Sequence, residues 1–571
     1  MLRILALGLA FVQCTHLRMT PEPVTITFVG TNDIHGTLAP IALKTRDALE
    51  QPYRVGGLAH LAATMDVLRQ ENKDFLWLDG GDQFQGTLES NSQFGAPVVD
   101  AFNQMGLMAA AVGNHEFDFG IEPLRTQISR ASYPYLAANI WMKDQHRHPD
   151  WTNLGSSKLF VTASGIRVGV IGLSTIETPK TTMAPHVADL RFEALKDALQ
   201  REARLLRQQG ANVIALTAHA GLVCKPDATF LQNTIRTEND PQSACETRAE
   251  IPELLNSIPE GTVDLVVSGH THHIVHHFIN HVPVIQGGSQ GRYINTIQIT
   301  YDPALGRIDR SKTRIEGPIP ICPQVFANQA DCNGNMDAPP KGRGPLIQPV
   351  FHGIPLKPDA RVQMIVDAAL EKTKTLNNKI IAYAETRLSS FPQPESDLGN
   401  LIADAMIATT HADVALMNSG GIRMPLESGP IRYNHVFRTL PFENKVATME
   451  VTGAEIRHIA TILESGSHIQ GSVAGMRIAF VGDKEHRHIH SIVLNDGTPL
   501  DPHKIYTLAT VDFLILGGDD FAWPKRPHYD TGITIRDSLL QRLRDIKRVK
   551  SAVDPQNARL FFIKQKKVVQ K

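Results

Sequence analysis

The chain has 571 residues, 42% apolar and 20% charged, and a formal net charge of −1 when its 24 His are counted neutral. That length exceeds one ordinary core and predicts two domains. The composition excludes a disordered or membrane-embedded chain, and the near-zero charge excludes the basic surface a nucleic acid polymer would require, so a small molecule is the expected partner.

"MLR" followed by "ILALGLAFV" reads as an export signal over residues 1–20, a positive charge leading an apolar run too short to cross a bilayer. The expected location is periplasmic or extracellular. Cys224 and Cys245 flank one insertion, and Cys322 and Cys332 sit close together, so export predicts two local disulfides with Cys14 left over. Cys14, at the end of the signal, raises the alternative of a lipid anchor at an outer membrane or cell surface, although Gln13 stands where a small residue is expected. Membrane contact is expected only through that anchor.

"VTITFVG" (24–30) has strand composition and runs into "TNDIHG". Apolar strand-like runs then alternate with helix-period segments. "LAHLAATMDVLRQ" reads as a helix, "FLWLDGGD" as a strand and loop, "VVDAFNQMG" as a helix, and "MAAAVGNHE" as a strand and loop. "IRVGVIGLST", "LKDALQREARLLRQQG", "VIALTAHAG", "IPELLNSI" and "VDLVVSGH" continue the series, which predicts an α/β layered fold over 24–316. A Pro-, Gly- and Asn-rich stretch and the helical "DARVQMIVDAALEKTKTLNNK" form a connecting segment over 317–378. A second α/β (α+β) domain is expected over 379–565, with the helix "LGNLIADAMIATTHA" and strands such as "VALMNSGGIR" and "YTLATVDFLILGGDDF".

Polar residues cluster just past the C-terminal ends of the first domain's strands, where α/β sheets place ligands. Asp33 and His35 of "NDIHG" stand two apart in what reads as an extended stretch, so both side chains are expected to face one metal. Asp82 follows two glycines in "DGGDQFQG". Asn114, His115 and Asp118 lie in "GNHEFDFG", where an Asp one helical turn on can hold an imidazole in one tautomer. His219 ends an apolar strand, and "VVSGHTHHIVHHF" supplies His270 and His272 among a crowd of other His. Each motif alone would pass for a turn or a cap. Together they are a thiolate-free O/N donor set large enough for two divalent metals sharing a carboxylate, the arrangement used for in-line displacement at phosphorus.

"NDIHG", "GDQFQG", "GNHEFDFG", "HAG" and "GHTH" resemble the motifs of calcineurin-like metallophosphoesterases in the variant of the 5′-nucleotidase family, which includes bacterial periplasmic UDP-sugar hydrolase/5′-nucleotidases. "SDLGNLIADAM", "NSGGIR", "LPFEN" and "GGDDF" resemble that family's C-terminal substrate-binding domain. The resemblance implies a dinuclear phosphohydrolase that releases phosphate from nucleotides by attack of a metal-activated water, without a phosphoenzyme. It assigns one metal to Asp33, His35, Asp82 and His272, and the other to Asp82, Asn114, His219 and His270. The ions would be drawn from Mn, Zn, Mg, Ca and Co. His272 departs from the Gln or Asn often found there.

By the same resemblance, His115 and Asp118 are a catalytic dyad, Phe442 and Phe513 clamp a nucleobase, Asn418 and Arg423 contact the nucleotide, and Asp519 takes the ribose hydroxyls. Asp397 stands where animal members place a phosphate-contacting Arg. A carboxylate there would repel phosphate, so Arg387 or Arg432 is expected to serve instead. That departure keeps open the same fold acting on 2′,3′-cyclic nucleotides, UDP-sugars or a sulfur ester. A non-catalytic nucleotide-binding or adhesion protein would be expected to have lost ligand or dyad positions, and here every one is filled. The 359–379 helix is the expected hinge between the two half-sites.

Overall fold

The computed structural model describes residues 22–43, 53–225, 232–242, 244–328, 332, 344–390, 395–464, 471–483, 486–521, 523–551 and 558–563. The export signal, Cys14 and the C-terminal residues from 564 lie outside them. In the first domain, β1 (Val24–Thr31), helix α1 (Leu58–Glu71), β2 (Phe75–Asp79), helix α2 (Ala96–Met105) and β3 (Ala109–Ala111) form a repeating strand–helix series. β1, β2 and β3 run parallel in one sheet. Helix α3 (Ile121–Arg130) leads on to β4 (Arg167–Ser174), α4 (Leu195–Gln208), β5 (Val213–His219), α5 (Glu250–Ser257) and β6 (Leu265–Ser268). β4, β5 and β6 form the parallel centre of a second sheet. β7 (Ile274–Ile279) and β8 (Val282–Gly287) extend that sheet, and β9 (Tyr293–Asp302) returns to pair antiparallel with β1.

Strand alternation explains why the two sheets stack. Ile26 and Phe28 of β1 and Leu76 and Leu78 of β2 point to an inner layer shared with Val168, Val213 and Leu265 of the other sheet. Val29 and Trp77, one residue out of phase, face outward onto α1 and α2. On the far side, Leu199 and Leu206 of α4 and Leu254 of α5 cover Ile171, Leu216 and Val266. The result is helix, sheet, sheet, helix, with the C-terminal ends of both parallel sets at one edge.

Helix α6 (Ala360–Asn377) is the helix the sequence places in the connecting segment. Asp359 caps it by accepting from Arg361 N and Val362 N at 2.9 and 3.0 Å. Val362, Val366 and Ala369 are buried in the first domain's core, so α6 packs in that domain's outer layer. Both expected disulfides are present, Cys224–Cys245 and Cys322–Cys332.

In the second domain, α7 (Asp397–Thr410) and β10 (Val414–Asn418) precede β11 (Lys445–Thr452), β12 (Ile505–Val511) and α8 (Ile535–Ile546). β12 pairs parallel with β10 and antiparallel with β11, inside a five-stranded mixed sheet. Leu398, Ile402 and Met406 of α7 pack with Leu539, Leu540 and Leu543 of α8 in one core. Asp397 occupies the first turn of α7, where its Oδ1 accepts from Ser389 N and Leu398 N at 2.5 and 2.9 Å. The carboxylate expected to repel a substrate phosphate from this position is thus engaged by the backbone amides of Ser389 and Leu398.

Candidate active site between the two domains

The loops that leave β1 and β2 hold each other. Asp33 N donates to Gly81 O at 2.9 Å, His35 N to Asp82 O at 3.0 Å and Gly36 N to Gln83 O at 2.8 Å. The stretch carrying Asp33 and His35 is not extended as expected: their φ values are 50° and 49°, and Asp82, His270 and His272 share that left-handed region at 58°, 79° and 58°. Each such residue costs about 1–3 kcal/mol and persists only where its surroundings over-determine it, a condition concentrated at functional sites.

Asn32 supplies part of that determination. Its Nδ2 donates to Asp33 Oδ2 at 2.6 Å and to Gly288 O at 2.7 Å, while Gly287 N donates to its Oδ1 at 2.7 Å. The glycine-rich stretch 287–293 thus approaches the site with its backbone. Glu116 supplies more: its buried carboxylate accepts from the backbone N–H of Asp82, Gln83, Phe84 and Gly113 at 2.8, 2.7, 3.3 and 2.7 Å. Burial and the Asp82 charge oppose ionisation of that carboxyl, and the backbone amides that point at both its oxygens favour it. Gly113 has no alternative residue there, because a Cβ would come within 2.1 Å of Asp82 Oδ1. Sequence reasoning missed Asn32 and Glu116; only their places inside "TNDIHG" and "GNHEFDFG" hint at them.

Donor atoms of Asp33, His35 and His272 lie within 4.8 Å of one another, as do those of Asp33, Asp82 and His219. His272 Nε2 stands 3.4 Å from Asp33 Oδ1, and His219 Nε2 stands 3.2 Å from Asp82 Oδ2 and 2.9 Å from Asn114 Oδ1. The tautomers explain why these atoms suit cations. His35 Nδ1 donates to Gln85 O at 3.0 Å and His219 Nδ1 to Gly80 O at 2.8 Å, which leaves Nε2 of each neutral ring as a lone pair. Those lone pairs face other acceptors: His35 Nε2 is 2.9 Å from His272 Nε2. Burial acts against charge on the His219 imidazole, while the Asp82 carboxylate beside it calls for positive charge strongly enough to override burial, a demand that a bound cation would meet with the ring neutral. So much acceptor density in one place calls for positive charge, and this donor set fits divalent metal.

His270 Nε2 stands 3.8 Å from Glu177 Oε2, its ring edge-on to His219, with the His270 amide donating to Asp33 Oδ2 at 3.0 Å. The remaining members of the His tract separate from the site. His276 and His277 are buried within β7, His273 is exposed, and His281 faces Glu238.

His115 Nδ1 donates to Asp118 Oδ2 at 2.7 Å, which leaves Nε2 for the cavity that this ring lines. Burial acts to lower its pKa, but the Asp118 and Asp82 carboxylates raise it above the ordinary imidazole value. Phe442 of the second domain stacks on His115, ring centroids 5.3 Å apart and planes 30° apart. Arg423 also lies against that ring, its Cζ 5.8 Å from the Phe442 centroid. Phe513 borders the same cavity; Gly518 makes room for it, since a Cβ there would meet the ring at 2.4 Å. Asn418 Nδ2 donates to Asp519 Oδ2 at 2.6 Å, and Asn418 Oδ1 is buried without a hydrogen-bond partner among the described residues.

Groups from both domains border one cavity of about 540 Å³. The first domain presents Asp82, Asn114, His115, Asp118, His270 and His272, and the second presents Asn418, Arg423, Phe442, Phe513 and Asp519. Asp33, His35 and His219 lie behind them. Arg387, paired with Glu427, and Arg432, bound to Asn378 O, do not line the cavity, so neither takes the expected phosphate role; Arg423 is the cavity's arginine.

Residues 26–273 match the family model described as calcineurin-like phosphoesterase, and residues 373–526 match that of the 5′-nucleotidase C-terminal domain. The protein UshA of Yersinia enterocolitica is 25% identical over 87% of this chain and 86% of its own. The 5′-nucleotidase of Bos taurus is 26% identical over 91% of this chain and 87% of its own. Among solved structures, the 5′-nucleotidase precursor of Thermus thermophilus superposes with a TM-score of 0.74 at 24% identity, covering 95% of this chain and 100% of that one. The sulfate thiohydrolase SoxB of the same organism shares the fold at a TM-score of 0.67 and 17% identity, over 96% of this chain and 98% of its own. A phosphoesterase domain followed by this particular C-terminal domain, with relatives alike along nearly their whole length, means that the chain belongs to the 5′-nucleotidase family of metal-dependent phosphoester hydrolases.

Proposed function

We propose that this protein is an exported 5′-nucleotidase that releases phosphate from nucleotides held between its two domains. The observation that carries the reading is the shared cavity, in which a His–Asp dyad and a cation-demanding donor cluster on one wall face aromatic rings and an arginine on the other. Asp33, His35, Asp82 and His272 would hold one divalent ion, and Asp82, Asn114, His219 and His270 the other. When bound, two such ions supply activation of the attacking water and neutralisation of the phosphoryl charge.

The chain's own groups do the rest. Asp118 fixes the His115 tautomer, so Nε2 is left to meet the phosphoryl oxygens and donates to them when the ring is protonated. Arg423 offers a planar fork to the phosphate. Phe442 and Phe513 take the faces of the base, and the unpartnered Asn418 Oδ1 and the Asp519 carboxylate accept from ribose hydroxyls. The apolar run after "MLR" and the two disulfides support export.

A side compartment of about 390 Å³ opens beside Asp519, bordered by Glu177, Lys180, Ser419 and Asp520. That room favours nucleotides carrying a further group, such as UDP-sugars, as a second substrate class. Product analysis with nucleoside mono-, di- and triphosphates, cyclic nucleotides and UDP-glucose, run on metal-stripped protein with each metal restored, tests the proposal, with free phosphate expected from the monoester ends and UMP with glucose 1-phosphate from UDP-glucose. A panel with no hydrolysed nucleotide would overturn it.

A further inference from the structure

The segment 177–182, which follows β4, touches more of the site than its sequence announces. Thr182 is buried and its hydroxyl donates to Asp118 Oδ1 at 2.8 Å, the carboxylate oxygen that His115 does not use. Thr181 O accepts from Asn114 Nδ2 at 3.2 Å. A carbonyl can only accept, so this contact turns the Asn114 oxygen toward His219. The Thr178–Thr181 helical turn is anchored from below, Thr178 Oγ1 donating to Thr175 O and Thr175 Oγ1 to Glu250 Oε1, both at 2.8 Å. From the other domain, Asp520 pairs with Lys180 at 2.6 Å, one residue beyond Asp519. Both aspartates hold left-handed φ, 52° and 55°.

We propose that Thr182 is a positioning residue for hydrolysis, its hydroxyl holding Asp118 so that Asp118 holds His115, with the Lys180–Asp520 pair seating that turn across the domain boundary. A carboxylate bonded at one oxygen can rotate about its last torsion and take the imidazole with it; one bonded at both oxygens cannot. The hydroxyl is therefore worth a charge-assisted hydrogen bond to the geometry of the dyad. The Lys180–Asp520 pair is exposed at both ends, so its share is smaller. The inference rests on the proposed His115–Asp118 dyad.

The test uses the full chain and compares T182V, which keeps the shape but not the hydroxyl, with T182S, which keeps the hydroxyl. AMP turnover should fall about tenfold in kcat with KM unchanged in T182V, and T182S should recover most of it. Proton NMR of metal-stripped, ¹⁵N-His-labelled protein should show the His115 Nδ1–H signal weakened in T182V and restored in T182S, a readout independent of metal loading. K180D should lower kcat a few-fold, and the swap K180D/D520K should restore it. Equal kcat in T182V and native protein, or equal losses in T182V and T182S, would overturn the role of Thr182. A swap that stays low would remove the link across the domains. H115A separates the two readings: if it keeps full turnover, the dyad itself is wrong, whereas its inactivity beside an unaffected T182V condemns only the present inference.

Discussion

Glu116 offers the sharpest test of how the loops are held. Its Oε2 accepts from Asp82 N and Gly113 N, and its Oε1 from Gln83 N and Phe84 N. In Glu116→Gln the shape is kept, but whichever way the amide turns, two backbone N–H groups face an NH2. Each orphaned donor costs about 1–3 kcal/mol, partly offset because an amide carries no buried charge, so a net loss of about 2–4 kcal/mol is expected. At about 2–4 °C per kcal/mol for a domain of this size, the melting temperature should drop by roughly 4–16 °C. Scanning calorimetry of metal-stripped native and E116Q protein reads this directly. Because the displaced amide is that of Asp82, the proposed shared ligand, divalent metal should also bind about tenfold more weakly by titration calorimetry. An E116Q protein that melts with the native one and binds metal equally well would refute the clamp.

Three further outcomes follow from the same geometry. Asp82→Ala should lose bound metal and turnover together, whereas His115→Ala should keep its metal by elemental analysis while turnover falls about 10²–10⁴-fold; metal loss in both would make His115 a structural support. Phe513→Ala should raise the KM for AMP about tenfold and leave a base-free phosphoester nearly unchanged, and equal losses for both substrates would dismiss the base clamp. Replacing His276 and His277 together with Phe should leave metal content unchanged while the melting temperature falls, since both are buried within β7 and neither belongs to a candidate ligand cluster among the described residues; lost metal would return them to the site.

The strand–helix series is legible because burial on both faces leaves uninterrupted apolar runs that end abruptly in polar loops. β5 and β6, closing on His219 and on the Gly269–His270 loop, are clear cases. The ligand motifs are legible for the same reason: each stands just past such a run. What the sequence conceals is how those loops are held. Asp33 and His35 stand two apart, which suggests a shared face in an extended chain. They converge instead through left-handed backbone at both residues, a conformation that no residue type there announces.

Glu116 and Thr182 are invisible for a related reason. Their partners are backbone amides from two loops and a carboxylate 64 positions away, and local pattern carries no trace of either. Asp397, Arg387 and Arg432 show the opposite failure. A motif position implies a phosphate contact, but Asp397 is spent on the amides of Ser389 and Leu398 and the two arginines on surface partners. Helix α6 reads as a connector because Pro and Gly precede it; only its buried Val362 and Val366 reveal that it completes the first domain.

The central claim is that hydrolysis needs two cations held by one shared carboxylate at the domain boundary. Titrating divalent metal into stripped protein, while counting bound ions and AMP turnover in the same samples, tests it most directly. Two ions per chain should bind, with turnover appearing as the second site fills and Asp82→Ala abolishing both. Full turnover with one ion or none, or an Asp82→Ala protein that still binds two, would contradict the account.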